Sequence, residues 1–215
     1  MVAGQQSDFP LLQYRWRHTV DESFGAMLWA IQHAERRIRL ETYIYTASTI
    51  GERFREALVQ ACQRGVEVKV LVDAFGSITL PDRFWDPLRN AGGQFRWFNP
   101  LSLDRYVIRN HRKLLVCDDD IAFVGGFNIA AQYEGDGVQK GWHDFGLQVR
   151  GPLARELAET FESLFALADF RHQRFIRLRK ARFRRAISMS VGQIILTGPG
   201  RGQAFLKNAL VGDIL

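Results

Sequence analysis

Apolar positions along this chain change their spacing several times, and the changes mark out alternating helices and strands. From Asp21 to Arg36, Phe24, Met27, Leu28, Ile31 and Ala34 recur every three or four residues, the period of a helix with one buried face. Asp21 or Ser23 is placed to cap it. Ile38, Leu40, Thr42 and Ile44 then alternate every second residue, as strand positions do. Gly51 precedes a second helical stretch with Phe54, Leu58, Ala61 and Cys62 on one face, and Gly65 suits its C-terminal stop. Val66, Val68, Val70 and Val72 predict a second strand. A loop from Phe75 to Pro81 leads to a short helix ending near Gly92 and Gly93, and Phe95 to Phe98 is a third strand. Tyr106 to Val116 reads as a long extended segment, and Ile121 to Val124 returns at hairpin distance across the acidic turn Asp118-Asp119-Asp120. Phe145 to Val149 is a further strand. Pro152 opens a helix with Leu153, Leu157, Phe161, Leu164 and Phe165 on its buried side. Residues 1–19 show no such period and read as a loosely ordered lead-in.

Helices alternating with strands predict an α/β domain with helices on both faces of a sheet. In such domains reactive groups gather where loops converge at strand ends.

Composition narrows the class. With 215 residues, 47% hydrophobic and 24% charged, the chain is long enough for one domain with a sizeable core. No apolar run reaches the roughly 18–20 residues of a membrane span. Met1 to Pro10 lacks the basic-then-apolar order of a signal peptide. The two cysteines, Cys62 and Cys117, fall on buried-looking positions and read as thiols rather than a disulfide scaffold. Neither C-x-x-C nor H-E-x-x-H occurs, so no metal-ligand spacing is present. His18, His33, His143 and His172 are scattered and read as ordinary surface or core residues.

Charge changes the picture at one place. The net charge is +6, and Arg171 to Arg185 holds seven Arg and one Lys with no Asp or Glu. Phe170, Phe175, Ile176, Leu178 and Phe183 are interleaved. The segment reads as a basic amphipathic stretch suited to an anionic lipid surface, where each nearby cation contributes on the order of 1 kcal/mol. A solvated surface helix is the plainer alternative, and nucleic acid would be attracted as well.

The chemistry concentrates in His111-Arg112-Lys113-Leu114-Leu115-Val116-Cys117-Asp118, followed by Gly125-Gly126-Phe127-Asn128. Side chains at i and i+2 of an extended segment share a face, so His111 and Lys113 are expected to project toward one point. An imidazole is a good nucleophile toward phosphorus, and a Lys and an Asn can hold the oxygens on which charge develops. Together they suit attack on a phosphodiester without a metal. Gly125 and Gly126 permit close approach of backbone to a ligand. By average residue usage, H-x-K-x4-D alone arises by accident in roughly one chain in a hundred of this length. G-G-x-N at a fixed offset makes accident far rarer.

This pattern resembles the HKD motif of the phospholipase D superfamily. The flanks, Ile38 to Tyr45, Gly65 to Asp73 and Trp142 to Phe145, are similar to the amino-terminal half of bacterial cardiolipin synthases. The resemblance covers most of residues 20–170. It implies a phospholipase D-like α-β-α sandwich around a mixed sheet. It also implies a phosphatidyltransferase working through a phosphohistidine, with a phospholipid such as phosphatidylglycerol as substrate and no cofactor. His111 would be the nucleophile, Lys113 and Asn128 would bind the phosphoryl oxygens, and Gly125 and Gly126 would shape the pocket. Asp144 would orient the His111 ring by accepting its hydrogen bond. Asp118 belongs to the motif, as a structural or orienting member more than a reacting one. The implied location is the bacterial cytoplasm, peripheral on the inner face of the cell membrane.

Transfer of this kind needs a second imidazole to protonate the leaving oxygen and activate the acceptor. The chain holds no second H-x-K-x4-D. Gln193 to Gly200 reads as strand then turn, and Ala204, Phe205, Asn208, Leu210 and Val211 as part of a helix, a weak repeat of the domain's own opening. The expected organisation is a catalytic domain over 20–170, a basic connector over 171–192, and the start of a second, truncated half over 193–215. The partner for His111 would then be a second HKD half. A homodimer acting as a phosphodiesterase or endonuclease is the alternative, and a non-catalytic membrane-binding fragment is a third reading.

Overall fold

The computed structural model describes residues 14–99 and 109–168, and the backbone of 185–189 and 192–196. The main sheet has seven strands: β1 (Tyr14–Arg17), β2 (Arg37–Thr42), β3 (Glu67–Asp73), β4 (Gln94–Phe98), β5 (Leu114–Cys117), β6 (Ile121–Gly125) and β7 (Gly146–Arg150). Their spatial order is β1-β7-β6-β5-β2-β3-β4. β2, β3 and β4 run parallel, and the remaining pairings are antiparallel, so the sheet is mixed as expected. Helices α1 (Val20–His33), α2 (Thr49–Gln63) and α3 (Asp86–Asn90) cover one face, and α4 (Pro152–Leu167) the other.

The alternation in the sequence maps directly onto these two layers. On β5, Leu115 and Cys117 enter the core under α1 and α2, while Leu114 and Val116 enter the core under α4. On β3, Val68, Val70 and Val72 face the first core and Leu71 the second. Strands buried on both faces carry near-continuous apolar runs, as these do.

Local chemistry fixes the helix ends. Thr19, rather than Asp21 or Ser23, caps α1: its hydroxyl accepts from the Glu22 amide at 3.2 Å. The Glu22 carboxylate reaches back to the His18 amide at 3.2 Å, closing a near capping box. α2 ends in a Schellman turn, with Gly65 at φ 88°, its N–H on the Cys62 carbonyl and that of Val66 on Ala61. Gly51 lies inside the first turn of α2 rather than before it, and a Cβ there would sit 2.0 Å from the Thr46 carbonyl oxygen.

Three expectations need correction. Tyr14–Arg17, placed in the loose lead-in, is an edge strand paired with β7. A four-residue strand gives too short a pattern to stand out, and its partner lies more than 130 residues away. Of the described residues of the long extended segment, only those from Leu114 on join the sheet. Of the residues ahead of it, 101–108 fall outside those described, and 109–113 are held by side chains instead of a ladder. Within the expected basic connector, Arg185–Met189 forms strand β8 and pairs with β9 (Gly192–Leu196). Residues 169–184, with most of the Arg-rich stretch, and 197–215 lie outside the described residues. No described helix is long and apolar enough to cross a membrane.

Candidate active site

Strand direction collects His111, Lys113, the Gly125–Asn128 loop and Asp144 at one edge of the sheet. The C-terminal ends of β2, β3 and β6 and the N-terminal ends of β5 and β7 all reach it. The loops there carry Tyr43, Asp73 to Leu80, Arg109 to Lys113, Gly126 to Asn128 and Asp144.

His111 and Lys113 do converge. The Lys113 ammonium donates to the His111 carbonyl at 2.7 Å and lies 3.0 Å from the ring Nδ1. The His111 side chain is exposed, whereas Lys113 is buried. Tyr43 packs beside both, with its ring centroid 4.6 Å from that of His111 and 5.3 Å from the Lys113 ammonium. Burial and the neighbouring Lys113 charge push the His111 pKa below its usual 6.5, with Asp73 opposing. The ring is therefore held neutral, the form a nucleophile needs. Burial lowers Lys113 from 10.5 to about 8, and the negative charges of Asp144, Asp73 and Glu41 limit the drop.

Asp144 lies over Gly126, so close that a Cβ on Gly126 would be 2.4 Å from its Oδ2. This is why position 126 must be glycine for the carboxylate to sit there. The Asp144 Oδ1 accepts from the Phe145 amide at 2.8 Å, and its charge acts on Lys113. The His111 Nδ1 faces Lys113 rather than this carboxylate, which departs from the expected ring-orienting contact. Gly125 allows the Phe127 ring to fold against the strand end, where a Cβ would meet it at 2.4 Å.

Asn128 is buried. Its Oδ1 accepts from the Ile44 amide at 2.9 Å and its Nδ2 donates to the Tyr133 hydroxyl at 2.7 Å. One amide hydrogen is left over from these two bonds. Asn128 thus also ties the β6 loop to the segment leaving β2.

Asp118, expected among the catalytic group, lies elsewhere. β5 separates it from Lys113, and at about 3.3 Å per residue that is more than 10 Å. Its carboxylate accepts from the backbone N–H groups of Glu35, Arg36 and Arg37 at 2.8–2.9 Å. Those three bonds hold its pKa below 3.8 against partial burial. Asp118 fastens the start of β2 to the far end of the hairpin.

Sequence reasoning missed four residues beneath the site. Glu41 and Asp73 are carboxylates with 0% and 1% exposure. Asn110 and Arg112 reach down to them. Each acid falls at the end of a strand pattern, Glu41 in β2 and Asp73 closing β3, but nothing local marks either as a partner of residues 110–112.

Comparison with known proteins agrees with this geometry. The family described as cardiolipin synthase, PLD-like domain, matches residues 27–165. Cardiolipin synthase B of Salmonella typhi is 38% identical over 144 residues, 65% of this chain and 35% of that protein. Cardiolipin synthase 1 of Bacillus cereus is 31% identical over 202 residues, 89% of this chain and 40% of that protein. The chain therefore spans about 35 to 40% of the length of these relatives. Among solved structures, the phospholipase D family member Nuc from Salmonella typhimurium shares the fold with a TM-score of 0.52 and 20% identity, over 73% of this chain and 94% of that one. With its sheet, its motif edge and these matches together, the chain belongs to the phospholipase D superfamily, in the cardiolipin synthase-type PLD-like domain family.

Proposed function

We propose that this domain carries one half of the active site of a phosphatidyltransferase. It would take a phosphatidyl group from one phospholipid and pass it to the hydroxyl of a second, as phosphatidylglycerol would provide. The observation that carries this reading is the paired His111 ring and Lys113 ammonium at an open sheet edge.

The steps follow from the side chains. Incoming phosphate oxygens compete with Nδ1 for the Lys113 ammonium. Once the ammonium turns to them, the ring proton can shift from Nε2 to Nδ1, and the freed Nε2 lone pair can attack phosphorus. A P–N bond forms and the P–O bond to the leaving alcohol breaks, giving a phosphohistidine. The leaving oxygen takes its proton from a second imidazole. That group then removes the proton of the acceptor hydroxyl, whose oxygen attacks phosphorus and frees His111. Lys113 and the remaining Asn128 amide hydrogen would steady the equatorial oxygens. Asp118 would hold the hairpin and take no part in the reaction.

The second imidazole would come from a second HKD half of the same polypeptide. Relatives about twice the length of this chain leave room for one. A second copy of the chain is the other source. The Arg171–Arg185 stretch would hold the enzyme on an anionic membrane surface from the cytoplasmic side.

The test is transfer by the complete polypeptide on phosphatidylglycerol vesicles, read as cardiolipin and glycerol by mass spectrometry. Cardiolipin should form, and His111→Ala should lower its rate by at least about 1,000-fold. Product formation by that variant at the native rate would overturn the assignment. DNA cleavage in EDTA without lipid turnover would replace it with the nuclease reading.

A further inference from the structure

We infer that Glu41 and Asp73 are positioning residues for the His111–Lys113 pair, acting through Asn110 and Arg112 as a two-carboxylate clamp on the segment that presents it. The inference rests on reading that pair as the reacting groups.

The two acids sit at or beside the C-terminal ends of β2 and β3, which are neighbouring parallel strands. Both are almost wholly buried, and a buried carboxylate is retained only where it is well paired. Their partners converge on one short stretch. The Asp73 Oδ2 accepts from the Asn110 amide at 2.8 Å. The Glu41 Oε1 accepts from the Asn110 side-chain amide at 2.5 Å, and its Oε2 lies 3.2 Å from the Arg112 guanidinium. Arg112 donates in turn to Thr160 on α4 at 2.9 Å.

These contacts explain a backbone that sheet pairing does not. The β2–β5 ladder stops at Glu41 and Leu114. Upstream of Leu114, residues 110 and 112 turn to the carboxylates, while 111 and 113 meet at the mouth. The segment keeps the alternation of a strand, with two side chains of the sheet standing in for a neighbouring strand.

The clamp reaches further on either side. The other Asp73 oxygen accepts from the Phe75 and Gly76 amides at 3.0 Å, tying the loop after β3 to the same anchor. The charges facing Lys113 are those of Asp144, Asp73 and Glu41, and all three favour its ammonium form. The other buried charge cluster differs. Arg39, two residues before Glu41 along β2, and Lys69 pair with Glu162 across the sheet and α4, and none of the three bonds to residues 110–113.

The test uses two measurements on the full chain. One is the titration of Lys113 by NMR after reductive methylation with 13C. The other is hydrogen exchange of the amides of residues 111–113. Glu41→Gln keeps an oxygen for Asn110 and removes the charge. It should lower the Lys113 midpoint by about one pH unit, a roughly tenfold loss of proton affinity, with little change in exchange. Asn110→Ala removes the link and leaves both carboxylates. It should speed exchange at 111–113 by at least about tenfold while distant core amides stay protected. Asp73→Asn should do both in part, and it carries the charge test if Glu41→Gln does not fold. Glu162→Gln, which perturbs the other cluster, should lower the melting temperature and move neither readout.

An unmoved Lys113 midpoint in Glu41→Gln, or exchange in Asn110→Ala that rises only in step with global unfolding, would overturn the clamp. Neither readout needs turnover. A His111→Ala form that still transfers phosphatidyl groups would sink the catalytic reading alone. His111-dependent transfer with both readouts unmoved would sink the clamp alone.

Discussion

The two ends of the β5–β6 hairpin carry residues of one short motif and are built in opposite ways. At the acidic turn every charge is answered. Asp118 takes three backbone N–H groups, Asp119 takes Arg39 and Arg37, and Asp120 takes Arg150. Asp118 and Asp119 even accept left-handed backbone angles, φ 55° and 59°, which cost about 1 kcal/mol each outside glycine. At the opposite end the His111 ring is exposed, and a buried ammonium is its close partner. Glu41 and Asp73 lie buried underneath, and Asp144 sits over Gly126 with its charge acting on Lys113. One end spends its hydrogen bonds on stability. The other leaves an imidazole and an ammonium side by side, the pair that the proposed transfer would use. A motif written as one line of sequence is thus an anchor and a proposed reacting pair joined by a strand.

The sharpest way to break this contrast is to exchange the consequences. His111→Ala should abolish transfer, by about 1,000-fold or more, and leave the melting temperature within a few degrees, since an exposed ring contributes little to packing. Asp118→Ala should do the reverse. It leaves three N–H groups at the start of β2 without their acceptor and puts alanine at φ 55°. A loss of about 2–3 kcal/mol is expected by urea unfolding. Asp118→Asn keeps the left-handed angle and one acceptor oxygen, so it should cost less. Should Asp118→Ala lower kcat as steeply as His111→Ala at full stability, the anchor role would be wrong.

A smaller effect sharpens the reacting end. The transfer reading requires His111 neutral and Lys113 protonated. The rate should therefore fall on the acid side as pH drops through the depressed His111 value, below 6.5. On the alkaline side it should fall as Lys113 loses its proton, near pH 8. Lys113→Arg, which stays protonated, should remove the alkaline limb even if its maximal rate is lower. An alkaline limb unchanged in Lys113→Arg would assign that limb to another group.

The same contrast explains what the sequence made legible. Two-residue alternation in β3 and β5 and the helical spacing of α1 and α4 depend on near neighbours, and they read directly. The convergence of His111 and Lys113 followed from a two-residue step, which is local as well. A structural role for Asp118 was legible, but its partners were not, because they are backbone groups more than 80 residues earlier. The clamp escaped for the same reason: Glu41, Asp73 and Asn110 stand in three separate segments, and only sheet order brings them together. Thr19 was passed over as the α1 cap because Asp21 and Ser23 nearby have equal capping chemistry. Which of the three sits at the non-helical position is decided by the β1 strand just before it, and that strand is itself fixed by β7.

The smallest effect comes from linkage: stability should rise with pH in both windows, but at neutral pH the Asp118 end stabilises and the Lys113 end destabilises. Asp118 has a folded pKa below its ordinary 3.8, so the unfolded chain binds its proton more readily. Its contribution is full above that ordinary value and is lost as pH falls through the folded one. Lys113 also has a lowered pKa, but for a base this means the charged form is disfavoured in the fold. Between about 8 and 10.5 the unfolded chain again holds more protons, so stability should rise with pH across that window. The anchor end therefore loses stability toward acid, and the reacting end carries a cost at neutral pH that is relieved toward alkali. Urea midpoints measured from pH 2 to 5 and from 7.5 to 10.5 check both. Asp118→Asn should flatten the first slope, and Lys113→Met the second. A Lys113→Met protein that keeps the full alkaline rise would mean the buried ammonium is not what the reacting end gives up in stability.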